Sequence, residues 1–524
     1  MGRLAGLQGA HFDVAVIGGG IIGCGIARDA ALRGLRVALF EKRDFGSGTT
    51  SASTRIVHGG LRYLEMLDFR LVRMDLRERE TLLRIAPHLV RPLEFLIPFF
   101  KGDGVSSLKL RAGLALYDAL SYDKQLPSRR WLTAADARAA DRILQRTDLR
   151  GAAAYHDARV DSPERLALEN VIDAQRHEAR PINYSEVIAA RPPAGGVAGI
   201  RVRDNLDGAE ADVSARVIVN ATGAWFEPVT ERLVARRTDV VRTTKGIHIV
   251  VPPLTSRALV LYSHVDRRLL FAIPRCGLTW IGTTDTDFDG DPADARATRQ
   301  DVEYLLASVR GLLPSLRMAD VLFTTAGVRA LVRQRGSESS VSRMHRIVDG
   351  EPLGPAGMIS VLGGKITGYR AIAEEVIDAV CKRLGVVNRG SMTAQTRLPG
   401  APRNPEADRL AVRPHLYDLY GGRAADVVAV AQSTPGLEQP LSPKYPDIAA
   451  QVVFSVRQEH CVRLSDFLRR RTLLGASDDQ GWEAAAPVAA LMAGELGWSS
   501  ARVAEEIEEY RHDVAATLAF KDDS

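Results

Sequence analysis

The chain has 524 residues, 46% hydrophobic and 25% charged, a profile that excludes fibrous and disordered classes and allows two to four globular domains. Its formal net charge of +5 is small for this length and is not gathered into dense Lys/Arg clusters, so nucleic acid is not an expected partner. A modest attraction to phosphorylated substrates or anionic lipid is compatible with it.

Only nine of the 69 cations are lysine, so a lysine inside a motif stands out against sixty arginines. Cys24, Cys276, Cys381 and Cys461 lie far apart and match neither a disulfide framework nor metal-ligand spacing, so a reducing compartment and no metal are expected. The N-terminus lacks the pattern of a cleaved signal, and no run of ~18 apolar residues predicts a membrane-spanning helix.

In chain order, Asp13–Ile17 (DVAVI) predicts a short buried parallel strand. A glycine-rich turn and a helix follow, then a second strand over 36–41 that ends in an acid. Residues 63–87 predict a helix with Leu64, Leu67, Leu71, Met74 and Leu82 on one face and Pro87 as its stop. Residues 91–120 mix apolar and basic groups, and 163–178 predicts another helix with Pro163 in its first turn. Strand patterns dominate 182–290, a helix is expected near 299–313, and two further strand-like pieces precede a helix over 364–385. The Pro-rich segment 398–409 marks a boundary, beyond which the chain reads as helical.

Gly18, Gly20 and Gly23 fit GxGxxG directly between the first strand and the first helix. The first glycine serves a tight turn, the second admits a pyrophosphate to the backbone, and the third lets helix and strand approach closely. The helix N-terminus at Ile21 and Ile22 then offers N–H groups to phosphate. Glu41, with Lys42 behind it, ends the next strand where a carboxylate can accept from a ribose diol. A second segment, 215–225, carries an apolar strand ending in Ala221-Thr222-Gly223-Ala-Trp. It resembles the second nucleotide-binding strand of two-domain flavoproteins, with Tyr184–Val187 supplying backbone contacts on the adenine side, and it favours FAD over NAD.

Residues 51–65 read SASTRIVHGGLRYLE, followed collinearly by APHLV (86–90), KGIHIVVP (245–252), IGTTDTDFDGDP (281–292), AGVRAL (326–331), VLGGKITGYRAIAEE (361–375) and DFLRRRT (466–472). This series resembles the FAD-dependent, quinone-linked glycerol-3-phosphate dehydrogenases of the D-amino-acid-oxidase-like superfamily, over nearly the whole chain. Ile22, Cys24 and the Thr367-Gly368 pair depart from the common family pattern, and the segment after AGVRAL is more basic than usual.

The resemblance implies an α/β fold. A Rossmann-like FAD-binding domain (12–90, 150–235, 350–390) is interleaved with a mixed-sheet substrate domain (91–149, 236–349), and an all-α domain follows (398–524). It implies oxidation of glycerol 3-phosphate, a small phosphorylated polyol, to dihydroxyacetone phosphate. Arg62, Arg329 and Arg343 are the implied phosphate ligands, Tyr63 lines the same cavity, and Lys365 faces it. His58 and His248 are both candidates for the base, with no assignment between them and Arg329 tuning whichever acts. Ser51, Ser53, Thr54, His58, Gly59, Val187, Gly364, Lys365, Ile366 and Thr367 join the glycine motif as cofactor contacts, and Gly363–Lys365 are expected at a helix N-terminus.

Electrons are implied to pass to membrane quinone from a peripheral position on the cytoplasmic face of the inner or plasma membrane, with a homodimer as a further option. The 91–120 segment, with Phe95, Leu96, Ile97, Phe99 and Phe100 beside Lys101, Lys109 and Arg111, is a membrane-facing candidate. An oxygen-using oxidase of the same substrate, an amine or amino-acid oxidase of the superfamily, and an FAD-binding scaffold without catalysis are the competing readings.

Overall fold

The structure is a computed structural model. It describes residues 2–64, 66–102, 107–194, 197–333, 344–350, 353–355, 357–387, 389–410 and 412–522, apart from the side chains of 62, 192–194, 197, 198, 405 and 407.

The apolar run at the start of the chain becomes the strand His11–Ile17, third from one edge of a largely parallel sheet. The sheet runs Arg346–Asp349, Met358–Leu362, Glu210–Asn220, His11–Ile17, Val37–Phe40, Arg180–Ile182. Val197–Asp204 and Ser185–Ala194 extend it antiparallel from the first half of Glu210–Asn220. Alternate residues of the first strand feed two cores. Val14 and Val16 pack with Val217, Val219 and the helix Ile21–Leu32, while Ala15 and Ile17 pack on the other side with Phe40 and Ile218. Burial on both faces is why the strand reads as unbroken apolar sequence. Helix Ile21–Leu32 then lies against helices Pro163–Arg176 and Tyr369–Leu384.

A second sheet runs Thr286–Asp287, Val241–Val251, Leu278–Gly282, Leu269–Arg275, Ala258–Tyr262, Val90–Phe100, Leu149–Val160, Ile56–Val57. Phe323–Val332 pairs with Val241–Val251 along ten residues, and Arg130–Thr133 pairs with Leu149–Val160. One face packs Ile247, Ile249, Val251 and Ile281 under Val302, Leu305 and Val309 of helix Arg299–Val309. The other packs Phe95, Ile97 and Tyr155 under Leu71, Val72 and Leu76 of helix Phe69–Ile85.

Several expectations shift. The helix expected from residue 63 is a 3-10 turn, Leu61–Leu64, followed by a helix that starts only at Phe69, because the Asp68 side chain accepts from the Leu71 N–H at 3.2 Å and caps it there. The helix expected from residue 364 starts at Tyr369, and Gly363–Thr367 form the loop before it. Residues 150–160, expected with the FAD-binding part, run in the second sheet, where the strand Leu149–Val160 pairs with Val90–Phe100 along eleven residues. Arg346–Asp349, expected with the substrate part, is an edge strand of the first. The apolar run expected to face a membrane is a core strand: Phe95, Leu96 and Ile97 are each at most 1% exposed.

The helices Pro414–Tyr420, Ala424–Ser433, Ala449–Gln458, Trp482–Leu496 and Ser500–Ala516 make up most of the C-terminal part. It is clamped onto the rest by the Arg-Arg pair in DFLRRRT. Arg471 donates twice to Asp44, both bonds 2.8 Å, and Arg470 donates to the same carboxylate at 2.6 Å. The two guanidinium groups hold the buried Asp44 carboxyl down at about 2 against the opposing effect of burial. Glu459 binds Arg165 and Arg423 at 3.0 and 2.9 Å and is likewise held at about 2. Among the described residues, no helix is long and apolar enough to cross a membrane, and no His/Cys/Asp/Glu cluster could hold a metal.

Candidate active site

A continuous cavity of ≈ 440 Å³ runs from the glycine turn of the first sheet to the face of the second. At its nucleotide end, Gly18 (φ +101°) turns so tightly that a Cβ would sit 2.7 Å from the Ala221 carbonyl, and a Cβ on Gly23 would meet the Gly18 carbonyl. Gly20 differs: a Cβ there would meet nothing nearer than Thr50 Oγ1 at 3.6 Å, so its surface opens onto the cavity. Half-buried Glu41 accepts from the Gly19 and Arg43 N–H groups at 2.7 and 2.8 Å, and loss of solvation outweighs these bonds to push its carboxyl up. Beside it the Ser185 hydroxyl, also on the cavity wall, is buried with no partner. An open backbone cradle, a strand-end carboxylate and an unsatisfied hydroxyl together fit a dinucleotide with its ribose and adenine at this end.

Of the residues expected as cofactor contacts, Ile21, Ile22, Lys42, Ser53, Thr54, Val187, Ala221, Thr222, Gly223, Gly364, Ile366 and Thr367 border the cavity. Lys42 lies over the Trp225 ring at 4.6 Å. Ser51 does not border it; its hydroxyl donates to the Gly46 carbonyl and fixes the loop from behind. Gly59 is also one layer back, its N–H donating to Tyr117 Oη at 2.8 Å while Gly60 forms the wall.

The far end gathers charge. His58 borders the cavity, its backbone N–H donating to Thr367 Oγ1 and its ring edge-on to Phe271. Tyr117 and Arg79, joined through the buried Asp157 at 2.8 and 2.5 Å, hold this loop rigid. Lys365 pairs with the buried Asp75 and sits 4.0 Å above the Tyr63 ring. Burial, only partly offset by Lys365, raises the Asp75 carboxyl to about 6.

Arg329 is held flat across Gly246 of the neighbouring strand. It donates to Thr283 Oγ1 at 2.8 Å, and to the Thr284 carbonyl and Asp285 at 3.1 Å. A Cβ on residue 246 would come within 2.2 Å of its Nη2, so glycine is what lets the guanidinium lie there. Arg268, which the sequence reading passed over, borders the same cavity and donates to the Asp285 carbonyl. Only its place in a hairpin between two strand signals set it apart from the other arginines.

His248 is not on the cavity wall. It is 3% exposed, with Nε2 3.2 Å from Thr54 Oγ1 and Nδ1 3.4 Å from Thr325 Oγ1. Burial, reinforced by Arg329, Arg55 and Arg275, pushes its ring down to about 3. Arg343 and the side chain of Arg62 lie outside the described residues.

Comparison with known proteins agrees with this geometry. Residues 13–370 match the family model of FAD-dependent oxidoreductases, and residues 391–503 match the C-terminal domain of alpha-glycerophosphate oxidase. A glycerol-3-phosphate dehydrogenase from Synechocystis sp. is 38% identical over 96% of both chains. Glycerol-3-phosphate dehydrogenase 2 of Mycobacterium tuberculosis is 36% identical over 97% of this chain and 89% of its own. The crystal structure of the glycerol-3-phosphate dehydrogenase from Bacillus halodurans complexed with FAD superposes with a TM-score of 0.78 at 29% identity, covering 99% of this chain and 97% of that one. The chain belongs to the FAD-dependent glycerol-3-phosphate dehydrogenases, within the FAD-dependent oxidoreductase family.

Proposed function

We propose that this enzyme binds FAD and oxidises sn-glycerol 3-phosphate at C2 to dihydroxyacetone phosphate. The observation that carries this reading is the single cavity joining the dinucleotide cradle at Gly20 and Glu41 to a far end where Arg329, Arg268, Lys365, Tyr63 and His58 converge. Bound FAD supplies the hydride acceptor.

The chain's own residues supply the rest. The Arg329 fork, pre-set by three hydrogen bonds, brings its positive charge and N–H donors to the substrate phosphate, and Arg268 adds a second positive charge. His58 accepts the C2 hydroxyl proton, since it borders the cavity while His248 is buried behind the loop and held neutral. His248 instead positions that loop through Thr54. Lys365, fixed by Asp75, places positive charge where negative charge gathers during the reaction.

Membrane quinone is the proposed electron acceptor, reached from a peripheral position. Exposed apolar side chains close to the turn that carries the cavity-lining Leu61 and Tyr63 support this. Leu67 (71% exposed), just after the 3-10 turn that carries Tyr63, stands out with Phe69 and Leu108 (76%) on the helices Phe69–Ile85 and Ser107–Leu120, which contact that turn. The helical C-terminal domain does not itself separate the two acceptors, because its family model bears the name of an oxidase.

Anaerobic addition of glycerol 3-phosphate to the purified flavoprotein tests the reading. Loss of the visible flavin absorbance is expected; a spectrum that stays unchanged refutes it. Hydrogen peroxide formed one-to-one with product in air, with no acceleration by a quinone analogue, would replace quinone by oxygen.

A further inference from the structure

A second cleft, of ≈ 660 Å³, lies between the FAD-binding loop, the second sheet and the C-terminal helices. Ser47, Gly48, Thr49 and Ala52 border both it and the cofactor cavity. None of the chemistry derived above uses it.

Its wall contains an electrostatic anomaly. Among the described residues nine arginines are buried: 28, 33, 79, 165, 275, 370, 423, 470 and 471. Eight of them have a carboxylate oxygen within 3.0 Å. Arg275 is the exception. It is 7% exposed, donates from Nη2 to the Asp161 carbonyl at 2.9 Å, and rests 4.6 Å from the Trp280 ring centre. Its Nε and Nη1 have no partner. The nearby Glu164 does not relieve it, because that carboxylate is already held by Arg55 in two bonds of 2.6 and 2.8 Å. A buried guanidinium without a counter-charge is costly, and proteins normally satisfy it with a carboxylate or a bound anion.

The other groups on the wall are donors too. Trp280 Nε1 and Arg469 Nε are buried without partners. Arg469 spends Nη2 on the Asp513 carbonyl at 3.1 Å and on Gln480 Oε1 at 3.5 Å, and among the described residues no carboxylate forms an ion pair with it. The acids bordering the cleft are either already paired, as Glu164, Glu506 and Glu509 are, or exposed, as Asp294 and Asp513 are. The buried part of the wall is therefore rich in N–H donors from separate elements. A tetrahedral oxyanion offers acceptors in several directions at once, whereas a carboxylate offers them in one plane.

We propose that this cleft is a second binding site, for a small phosphate-bearing anion, in which Arg275 and Arg469 supply the charge and Trp280 a further donor. The site is separate from the substrate end of the cofactor cavity, and an anion there buttresses the loop Ser47–Ala52 from its outer side.

The test is calorimetric titration of the full-length holoenzyme with inorganic phosphate at constant ionic strength. Wild type and Arg329→Ala are both expected to bind phosphate. Arg275→Met and Arg469→Met are each expected to lose about 10–100-fold in affinity, the worth of a charge-assisted hydrogen bond. Binding abolished by Arg329→Ala but kept by Arg275→Met would assign the phosphate to the substrate site and overturn the proposal, as would absence of binding in wild type. Equal heats from phosphate, acetate and chloride would also overturn it, by showing screening rather than a site. Should Arg275→Met fail to fold, Arg469→Met, a change at a half-buried position, decides alone.

Discussion

Replacing Gly246 by alanine isolates the placement of one guanidinium from everything else in the site. The new Cβ would lie 2.2 Å from Arg329 Nη2, 2.6 Å from Cζ and 2.7 Å from Nη1. Carbon contacts settle near 3.5 Å, so the guanidinium must retreat by about 1.3 Å. That breaks the arrangement in which Thr283, Thr284 and Asp285 hold it. A displacement of this size at a positioning group costs roughly 100-fold in kcat/KM, or about 2.7 kcal/mol of transition-state stabilisation. Stability moves little. Residue 246 is in an ordinary strand conformation, only the end of a flexible side chain must give way, and Ala for Gly within a strand changes stability by about 1 kcal/mol or less. FAD content should not change. Steady-state kinetics, thermal unfolding and the flavin spectrum read the three quantities separately. Wild-type kcat/KM within threefold would refute the idea that Gly246 sets the Arg329 position. So would a full additive loss in the Gly246→Ala, Arg329→Ala double variant, since both changes are argued to act through the same group.

Gly20→Ala is expected to fold normally but to purify with much reduced flavin, because its Cβ meets nothing in the protein within 3.6 Å and projects instead into the cradle; an unchanged flavin-to-protein ratio would contradict this. Arg471→Met should cost about 3–5 kcal/mol in denaturant unfolding, because Asp44 stays buried with half its pairing gone. On acidification, the stabilisation from Glu459, whose carboxyl is depressed to about 2, is complete above the ordinary glutamate range near 4.5 and disappears as pH falls through about 2. The Glu459→Gln variant should therefore show a flatter acid-unfolding curve by circular dichroism. Asp75 has the opposite sign. Its carboxyl is raised to about 6, so its contribution to stability is greatest below about 4 and is lost as pH rises through 6, a dependence that Asp75→Asn should remove.

The parts of the site that were legible from sequence are those whose chemistry is local. Gly18, Gly20, Gly23 and Glu41 act within one strand–turn–helix–strand unit, so their spacing alone carries the geometry. Arg329 and Lys365 emerged through long family motifs, but what fixes them did not. Lys365 is anchored by Asp75, 290 positions earlier, and Arg329 by its resting place on Gly246 and by Thr283–Asp285. Pairings of that range exist only once the second sheet has formed. His248 shows the same limit. It shares a face with Gly246 by strand alternation, which points it correctly toward the site, yet Thr54 covers it, and no periodicity reports which loop will lie over a strand. The Phe95–Ile97 run failed as a surface for a related reason: apolarity alone does not separate a core strand from an exposed face.

Asp44 and Ser47–Ala52 belong to one connection between Phe40 and Ile56, and this connection meets every part of the molecule. Its first half is pinned by Arg470 and Arg471 of the C-terminal part. Its middle borders both cavities. Its end is fixed by Arg55 to Glu164 and by Thr54 to His248 in the second sheet. Each of these partners lies more than 100 positions away, so tertiary contacts place the loop, while local bonds such as Ser51 to the Gly46 carbonyl shape its turn. Loosening the C-terminal clamp should therefore act on the flavin. Arg471→Met is argued to free Asp44, and through it the loop, so its flavin should dissociate faster than in wild type at temperatures well below unfolding. Flavin fluorescence recovered on release measures that rate. A dissociation rate equal to wild type in a destabilised Arg471→Met protein would mean that the helical domain stabilises the fold without reaching the cofactor site.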